Sequence, residues 1–371
     1  MRFWFRGAPA AGLAALILAA CATTRSFYPP QRAYEGARPR EVRPAAPLVS
    51  DRDNAFSQLA GWAQDDHAAA LRAFQAACLA RRAGRFIDVC GRAIALGAVD
   101  EVSARAFFQA NFRPEPVAEP GLLTAYFSPV YEARRQKGGV FTAPVRPRPV
   151  DLPGTDWSAQ SNSPYEERAA IEASAAPDAL AWMRPEDLFF LQIQGSGVLV
   201  FEDRTRLKAL FAGANGAPFV AIARPMIRKG ILPAHSASAE AIRRWLADNR
   251  GDAAEAMMQL DPRYVFFRLA PDDGEDPAGA AGAPLIPGRS VAVDLSWHAL
   301  GELLWIDASA PTLSGAFPNY RRLAVAMDAG GAIKGDARAD LYLGRGAAAG
   351  DEAGRVRHVL HLWRLEPIGT P

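Results

Sequence analysis

Between residues 290 and 365 the chain is divided into short apolar segments of β-strand composition, and this limits its fold more than any other feature. Residues 290–294, 303–307, 322–328 and 359–365 are rich in Val, Leu, Ile and aromatic side chains. Each segment is too short to serve as a core helix, and Gly-containing turns separate them. Many short strands with such turns predict a barrel rather than a helical fold. Upstream, 122–130 is another strand of mixed apolar and β-prone residues, and Tyr264-Val265-Phe266-Phe267 a further one.

Two of these segments end in an aspartate. Asp294 closes Ser-Val-Ala-Val-Asp and Asp328 closes Leu-Ala-Val-Ala-Met-Asp. Strict alternation puts Leu323, Val325 and Met327 on one face, and Ala324, Ala326 and Asp328 on the other. Gly330 and Gly331 then allow a tight turn beside the carboxylate. Asp340 opens the next apolar stretch, Leu341-Tyr342-Leu343. Carboxylates at strand ends beside glycines suit acid–base work on a glycoside. When clustered they raise one another's pKa, so one can stay protonated near neutral pH. Any one of them taken alone is better explained as a turn cap.

Two polar elements could accompany them. The spacing in 189–201 predicts a hairpin with Gln192 and Gln194 on one strand face and Gly195-Ser196-Gly197 at its turn. Amides of this kind pair with sugar hydroxyls and N-acetyl groups. Thr124 and Tyr126, in the strand 122–130, could hydrogen-bond to a sugar and stack on its face. A polar strand face and a core strand account for the same residues without any ligand.

The rest of the chain frames these elements. Residues 51–113 show helical spacing, with a last helix over 102–112 that stops before Pro114. A further helix is predicted over 238–249, with Ser238 as its cap. Residues 135–180 are loop-rich, and 271–284 is predicted to be a flexible loop. At the start, Arg2 and Arg6 precede the apolar run 10–20, which ends in Leu18-Ala19-Ala20-Cys21. This is the pattern of a signal peptide, 1–20, with a lipidated Cys21 resembling a bacterial lipobox. Ala22 after it favours the periplasmic face of the outer membrane. A Pro-rich linker fills 21–50. Export makes a disulfide between Cys78 and Cys90 plausible. Without Arg2 and Arg6 the basic and acidic residues number 40 each, so a nucleic-acid partner is not expected. The five histidines are scattered and no metal or cofactor motif is present, so neither is expected.

Taken together these residues resemble the membrane-bound lytic murein transglycosylase A (MltA) family. The resemblance rests on Thr124-Ala125-Tyr126-Phe127-Ser128-Pro129, Gln194-Gly195-Ser196-Gly197, Asn215-Gly216, Pro262-Arg263-Tyr264-Val265-Phe266-Phe267, and the run Asp328-Ala329-Gly330-Gly331-Ala332-Ile333-Lys334-Gly335 with Asp340-Leu341-Tyr342. The last part is similar to a three-aspartate (3D) domain, with Asp294, Asp328 and Asp340 as its namesakes. The resemblance implies a mainly β fold: a double-psi β-barrel formed by 51–133 and 263–371, helices at its N-terminal end, a second barrel-like β-domain inserted at 134–262, and a substrate groove between the two. It implies cleavage of the β-1,4 bond between N-acetylmuramic acid and N-acetylglucosamine in peptidoglycan, with a 1,6-anhydro product. Asp340 would be the general acid and base, with Asp328 and Asp294 in support, and Thr124, Tyr126, Gln192, Gln194, Gly195, Ser196 and Lys334 would contact substrate. Two departures stand out: Phe127 where the family commonly has Tyr, and Asp261 and Arg263 where it often has Asn and Ser. Two other readings stay open, a non-catalytic glycan-binding lipoprotein and a hydrolase using Asp328 and Asp340 as a pair.

Overall fold

The computed structural model describes residues 55–80, 86–117, 120–153, 165–234, 237–309 and 319–369. The leader, Cys21 and the Pro-rich segment lie outside these residues. In chain order, α1 (His67–Ala80), α2 (Ile87–Leu96) and α3 (Glu101–Asn111) lead into β1 (Phe112–Pro116) and β2 (Gly121–Ser128). The middle of the chain forms β3 (Val130–Glu132), β4 (Ala143–Val145), α4 (Arg168–Ala173), β5 (Ala181–Met183), α5 (Pro185–Gln194), β6 (Gly197–Val200), β7 (Arg206–Ala214), α6 (Ala223–Arg228), α7 (Ala239–Asp248), α8 (Asp252–Met258) and β8 (Val265–Pro271). The remainder is β9 (Ser290–Val293), β10 (Leu303–Ser309), β11 (Asn319–Ala329), β12 (Arg338–Arg345), α9 (Gly346–Ala353) and β13 (Arg357–Pro367).

Six strands close into a barrel, in the order β13-β10-β11-β9-β12-β2 with β2 returning to β13. β1 adds outside, along β13. The β9–β11 and β2–β12 pairs are parallel and the others antiparallel. The alternation seen in the sequence is the reason for closure. Leu304, Ile306, Ala324, Ala326, Leu341 and Leu360 point inward and are fully buried. Trp305, Leu323 and Val325 point outward and bury themselves under α1–α3.

The helices are fixed to the barrel at defined points. Trp62 packs edge-on against Trp305, ring centroids 5.2 Å apart. Arg289 donates to both oxygens of Asp65 at 2.8 Å and to the Leu323 carbonyl at 2.8 Å. Asp100 caps α3 by accepting from Ser103 N at 2.8 Å. Cys78 of α1 and Cys90 of α2 form a disulfide. Among the described residues no helix is long and apolar enough to cross a membrane.

A second sheet, ordered β3-β6-β7-β8, and the two-stranded ribbon β4-β5 come from the middle of the chain. The sheet reaches past the expected insert 134–262 at both ends, since β3 and β8 pair within it. The helix expected over 238–249 is present as α7, capped by Ser238.

Two sequence expectations are corrected. Residues 189–194 do not form the first strand of a hairpin; they belong to α5. Pro185 sits in its first turn with Glu186 and Asp187, and Gly195, at φ 81°, ends it. The helix is buried on two sides: Leu188 and Leu191 face the sheet core, while Phe189 faces α6–α8. Gln192 and Gln194 therefore stand about 200° apart around a helix rather than on one strand face. The segment 271–284 is not a free loop either. Ala281 N donates to the Met327 carbonyl at 2.9 Å and Gly279 N to the Ala283 carbonyl at 3.0 Å. Ala281 and Ala283 are buried. A Cβ on Gly279 would come within 2.5 Å of the Met327 carbonyl, so the run of small residues is a close-fitting strap.

Candidate active site

Strand register assembles the site. Thr124 of β2 opposes Asp340 of β12, Asp340 opposes Ala292 of β9, and Ala292 opposes Asp328 of β11. Residues opposed across adjacent strands share a face. The two carboxylates thus lie in one row, with only a methyl group between them.

Simple alternation would have turned Asp328 into the barrel beside Ala324 and Ala326. The pairing shifts instead: Ala326 opposes Val291, but Asp328 opposes the very next residue, Ala292. Met327 is the extra residue of a β-bulge. The bulge carries Asp328 to the opposite face from Ala326, onto the wall of the groove.

The three aspartates have different surroundings. Asp328 is buried and accepts three bonds: from the Tyr126 hydroxyl at 2.7 Å, Ala280 N at 3.0 Å and Ala329 N at 2.9 Å. Burial pushes its carboxyl up to about 6, the charge of Asp340 adds to this, and the three donors oppose it. Asp340 is half-buried, and among the described residues its side chain has one hydrogen-bond partner, the Thr124 hydroxyl. Burial raises its pKa too, against the pull of the Arg338 guanidinium and of Thr124. Arg338 in turn donates to Thr124 Oγ1 at 2.8 Å. Asp294 stands apart from the row. Its oxygens accept from Ser296 N at 3.1 Å and Gly335 N at 2.9 Å, and Lys334 lies 3.8 Å away. It holds the turn that follows β9 against the end of the Gly330–Lys334 loop.

The row faces a groove of about 380 Å³ between the barrel and the second sheet. Thr124, Tyr126, Asp328 and Asp340 line the barrel side, and Gln192, Gln194, Gly195 and Ser196 the other. Asp294 and Lys334 do not line it. Tyr126 is nearly buried, its ring 5.2 Å from that of Tyr342, so it holds Asp328 rather than offering an open stacking face. Gln192 is also committed: it accepts from Arg168 at 2.6 Å and donates to the Val265 carbonyl at 3.3 Å. Gln194 accepts from Phe127 N at 3.2 Å, tying the end of α5 to β2.

Arg338, Arg168 and the strap residue Ala280 were not singled out from sequence. Arg338 lies two residues before Asp340, on the same side of the strand, which was a usable signal. The contact of Ala280 depends on tertiary packing and left none.

The raised Asp328 pKa has a thermodynamic consequence. The folded protein holds this proton more tightly than the unfolded chain, whose carboxyl stays near 3.8. The associated stability is complete below that value and is lost as pH rises through about 6. A shift of this size corresponds to about 3 kcal/mol. Urea midpoints taken at about pH 4 and pH 7 are expected to show that loss, and Asp328→Asn to remove this share of it. An unchanged slope in the variant would contradict the assignment.

A closed barrel thus presents one buried and one half-buried carboxylate to a groove, with a second sheet opposite. Two family models match the chain: the MltA specific insert domain at 122–268 and the 3D domain at 289–366. The membrane-bound lytic murein transglycosylase A of Vibrio cholerae is 31% identical over 253 residues, which is 67% of this chain and 66%, just under two thirds, of that protein. The protein of the same name from Escherichia coli K12 is 32% identical over 249 residues, 66% of this chain and 65% of its own. Among solved structures, the membrane-bound lytic murein transglycosylase of Agrobacterium tumefaciens superposes with a TM-score of 0.74 at 30% identity, covering 84% of this chain and 96% of that one. MltA of Neisseria gonorrhoeae gives 0.70 at 27%, covering 85% and 92%. The chain belongs to the MltA family.

Proposed function

We propose that this protein is a lytic murein transglycosylase that cleaves the N-acetylmuramic acid–N-acetylglucosamine bond of peptidoglycan without water. The observation that carries the reading is the unequal occupancy of the three aspartates. Asp328 and Asp294 are filled by donors, whereas Asp340 has one partner, stands at the groove and has a raised pKa. A carboxyl in that state can give up a proton and take one back.

In the first step Asp340 protonates the bridging oxygen as the bond from C1 breaks. In the second, the C6 hydroxyl of the muramoyl residue attacks C1, and its proton returns to Asp340. One group suffices because the nucleophile belongs to the substrate and is already positioned. Asp328 fixes Tyr126 and the strap, and Asp294 fixes the loop behind them. The solved structure of E. coli MltA with bound chitohexaose, at 25% identity and a TM-score of 0.59, supports a glycan as the occupant of the groove. Lipidation at Cys21 and residence at the outer membrane belong to the same reading. They are supported by the leader sequence and by relatives named membrane-bound.

Digestion of purified sacculi tests the proposal. Mass analysis is expected to find 1,6-anhydromuramoyl ends. Reducing ends would mean a hydrolase, and binding without soluble products a non-catalytic glycan binder; either result removes the reading.

A further inference from the structure

The groove holds a cation that the reaction does not use. We propose that Arg263 binds a carboxylate of the substrate and so selects acidic muramoyl glycans over neutral ones. This rests on the function proposed above and names a specificity determinant within it.

The backbone of Arg263 is held from several directions. Its carbonyl accepts from Arg168 at 2.5 Å, its amide donates to Asp261 Oδ1 at 3.3 Å, and the next amide, Tyr264 N, donates to Asn215 Oδ1 at 2.9 Å. From this fixed base the side chain lines the groove and crosses to the barrel. A Cβ on Gly331 would meet three atoms of the guanidinium at 3.0, 3.1 and 3.4 Å. Gly331 follows the Asp328-Ala329-Gly330 run on the opposite wall, so the fork lies beside any glycan seated at Asp340.

The fork is nearly unused. A guanidinium carries five N–H donors, and that of Arg263 makes one long bond, 3.5 Å to the Ala217 carbonyl. Among the described residues it forms no ion pair. The nearest acid, Asp261, is committed elsewhere: Val220 N donates to it at 2.9 Å and Arg168 lies 3.8 Å from its other oxygen. Two neighbouring arginines of the groove differ. Arg168 and Arg338 spend their donors on carbonyls and side chains of the protein. Burial also lowers the pKa of Arg263, a cost that an anionic partner would relieve. A half-buried planar fork with free donors matches a carboxylate bidentately.

An N-acetylglucosamine polymer offers no anion, but each muramoyl unit carries a lactyl ether. That group ends in a free carboxylate on peptide-free strands, or carries a stem peptide with carboxylates of its own. Both sources present the same chemistry, and the test separates them.

Binding is measured by calorimetry in an Asp340→Asn background, so that strands stay intact, with and without Arg263→Gln. Four ligands are compared: chitohexaose, peptide-free strands, the same strands with the lactyl carboxylate converted to its methylamide, and peptide-bearing strands. Arg263→Gln is expected to weaken a carboxylate-bearing ligand by about 10- to 100-fold, with chitohexaose and the methylamide within about twofold. Loss on the peptide-free strands assigns the lactyl carboxylate; loss on peptide-bearing strands alone assigns the stem peptide. Equal loss on all four ligands, or no loss on either acidic one, overturns the proposal. Because binding is read directly, a wild-type protein that yields no anhydro ends would refute the lyase reading and leave this comparison intact.

Discussion

Asp340→Asn is expected to slow release of anhydromuramoyl products by about a hundred- to ten-thousand-fold while the protein stays folded. The range is what a single positioned proton donor and acceptor contributes. The amide keeps the size of the side chain and can still pair with Thr124, so the barrel should not notice the change. It cannot deliver a proton to the bridging oxygen or take one from the C6 hydroxyl. Single-turnover digestion of sacculi, with thermal unfolding as the control for folding, decides the matter. A variant that kept more than about a tenth of the wild-type rate would remove Asp340 from the mechanism. Asp328→Asn is expected to be milder on the chemical step. The two backbone amides that donate to Oδ1 can still meet an amide oxygen there, and the NH2 replacing Oδ2 can donate to the Tyr126 hydroxyl oxygen.

The second large effect concerns stability. Arg168→Met is expected to destabilise the protein by about 3–5 kcal/mol, the usual cost of removing one partner from a buried charged pair. Arg168 is 2% exposed. Its guanidinium donates to the Asp261 carbonyl at 2.9 Å, to Gln192 at 2.6 Å, to the Arg263 carbonyl at 2.5 Å and to Glu172 at 3.1 Å. It also lies 4.9 Å from the ring centroid of Phe189. Methionine would fill much of the space but leave the Asp261 carboxylate and two carbonyls unmatched. Urea unfolding measures the change; a loss below about 1 kcal/mol would show that these groups find other partners. Arg168→Lys should fall between, since an ammonium cannot reproduce the fork.

Some of this was legible in the sequence because the physics there is local. The strands at 290–294, 303–307, 322–328 and 359–365 were visible through apolar alternation, as were the helical spacing before Phe112 and the Ser238 cap. α5 reads as a strand from sequence for an identifiable reason. It is buried against a sheet on one side and helices on the other, so Leu188, Phe189, Phe190, Leu191 and Ile193 leave no polar face to mark a helical period. Its end signals, Pro185 with Glu186 and Asp187 at the start and Gly195 at the finish, were present and outweighed. The strap at 271–284 reads as flexible from sequence because small residues fit both a mobile loop and a tight approach. The aspartates were visible as residues. Their ranking by occupancy was not, because donors such as Ala280 N reach Asp328 from 48 positions away.

The bulge at Met327 means that the location of one carboxylate is stored as a count, odd or even, rather than as a residue type. Substitutions along β11 can change the packing and leave Asp328 at the groove. Deleting Met327 would restore regular pairing with Asp328 still opposite Ala292, whereas straightening the strand with Met327 retained would swing the carboxylate into the apolar interior of the barrel. In this strand the register with β9, more than any one side chain, therefore keeps the carboxylate at the groove.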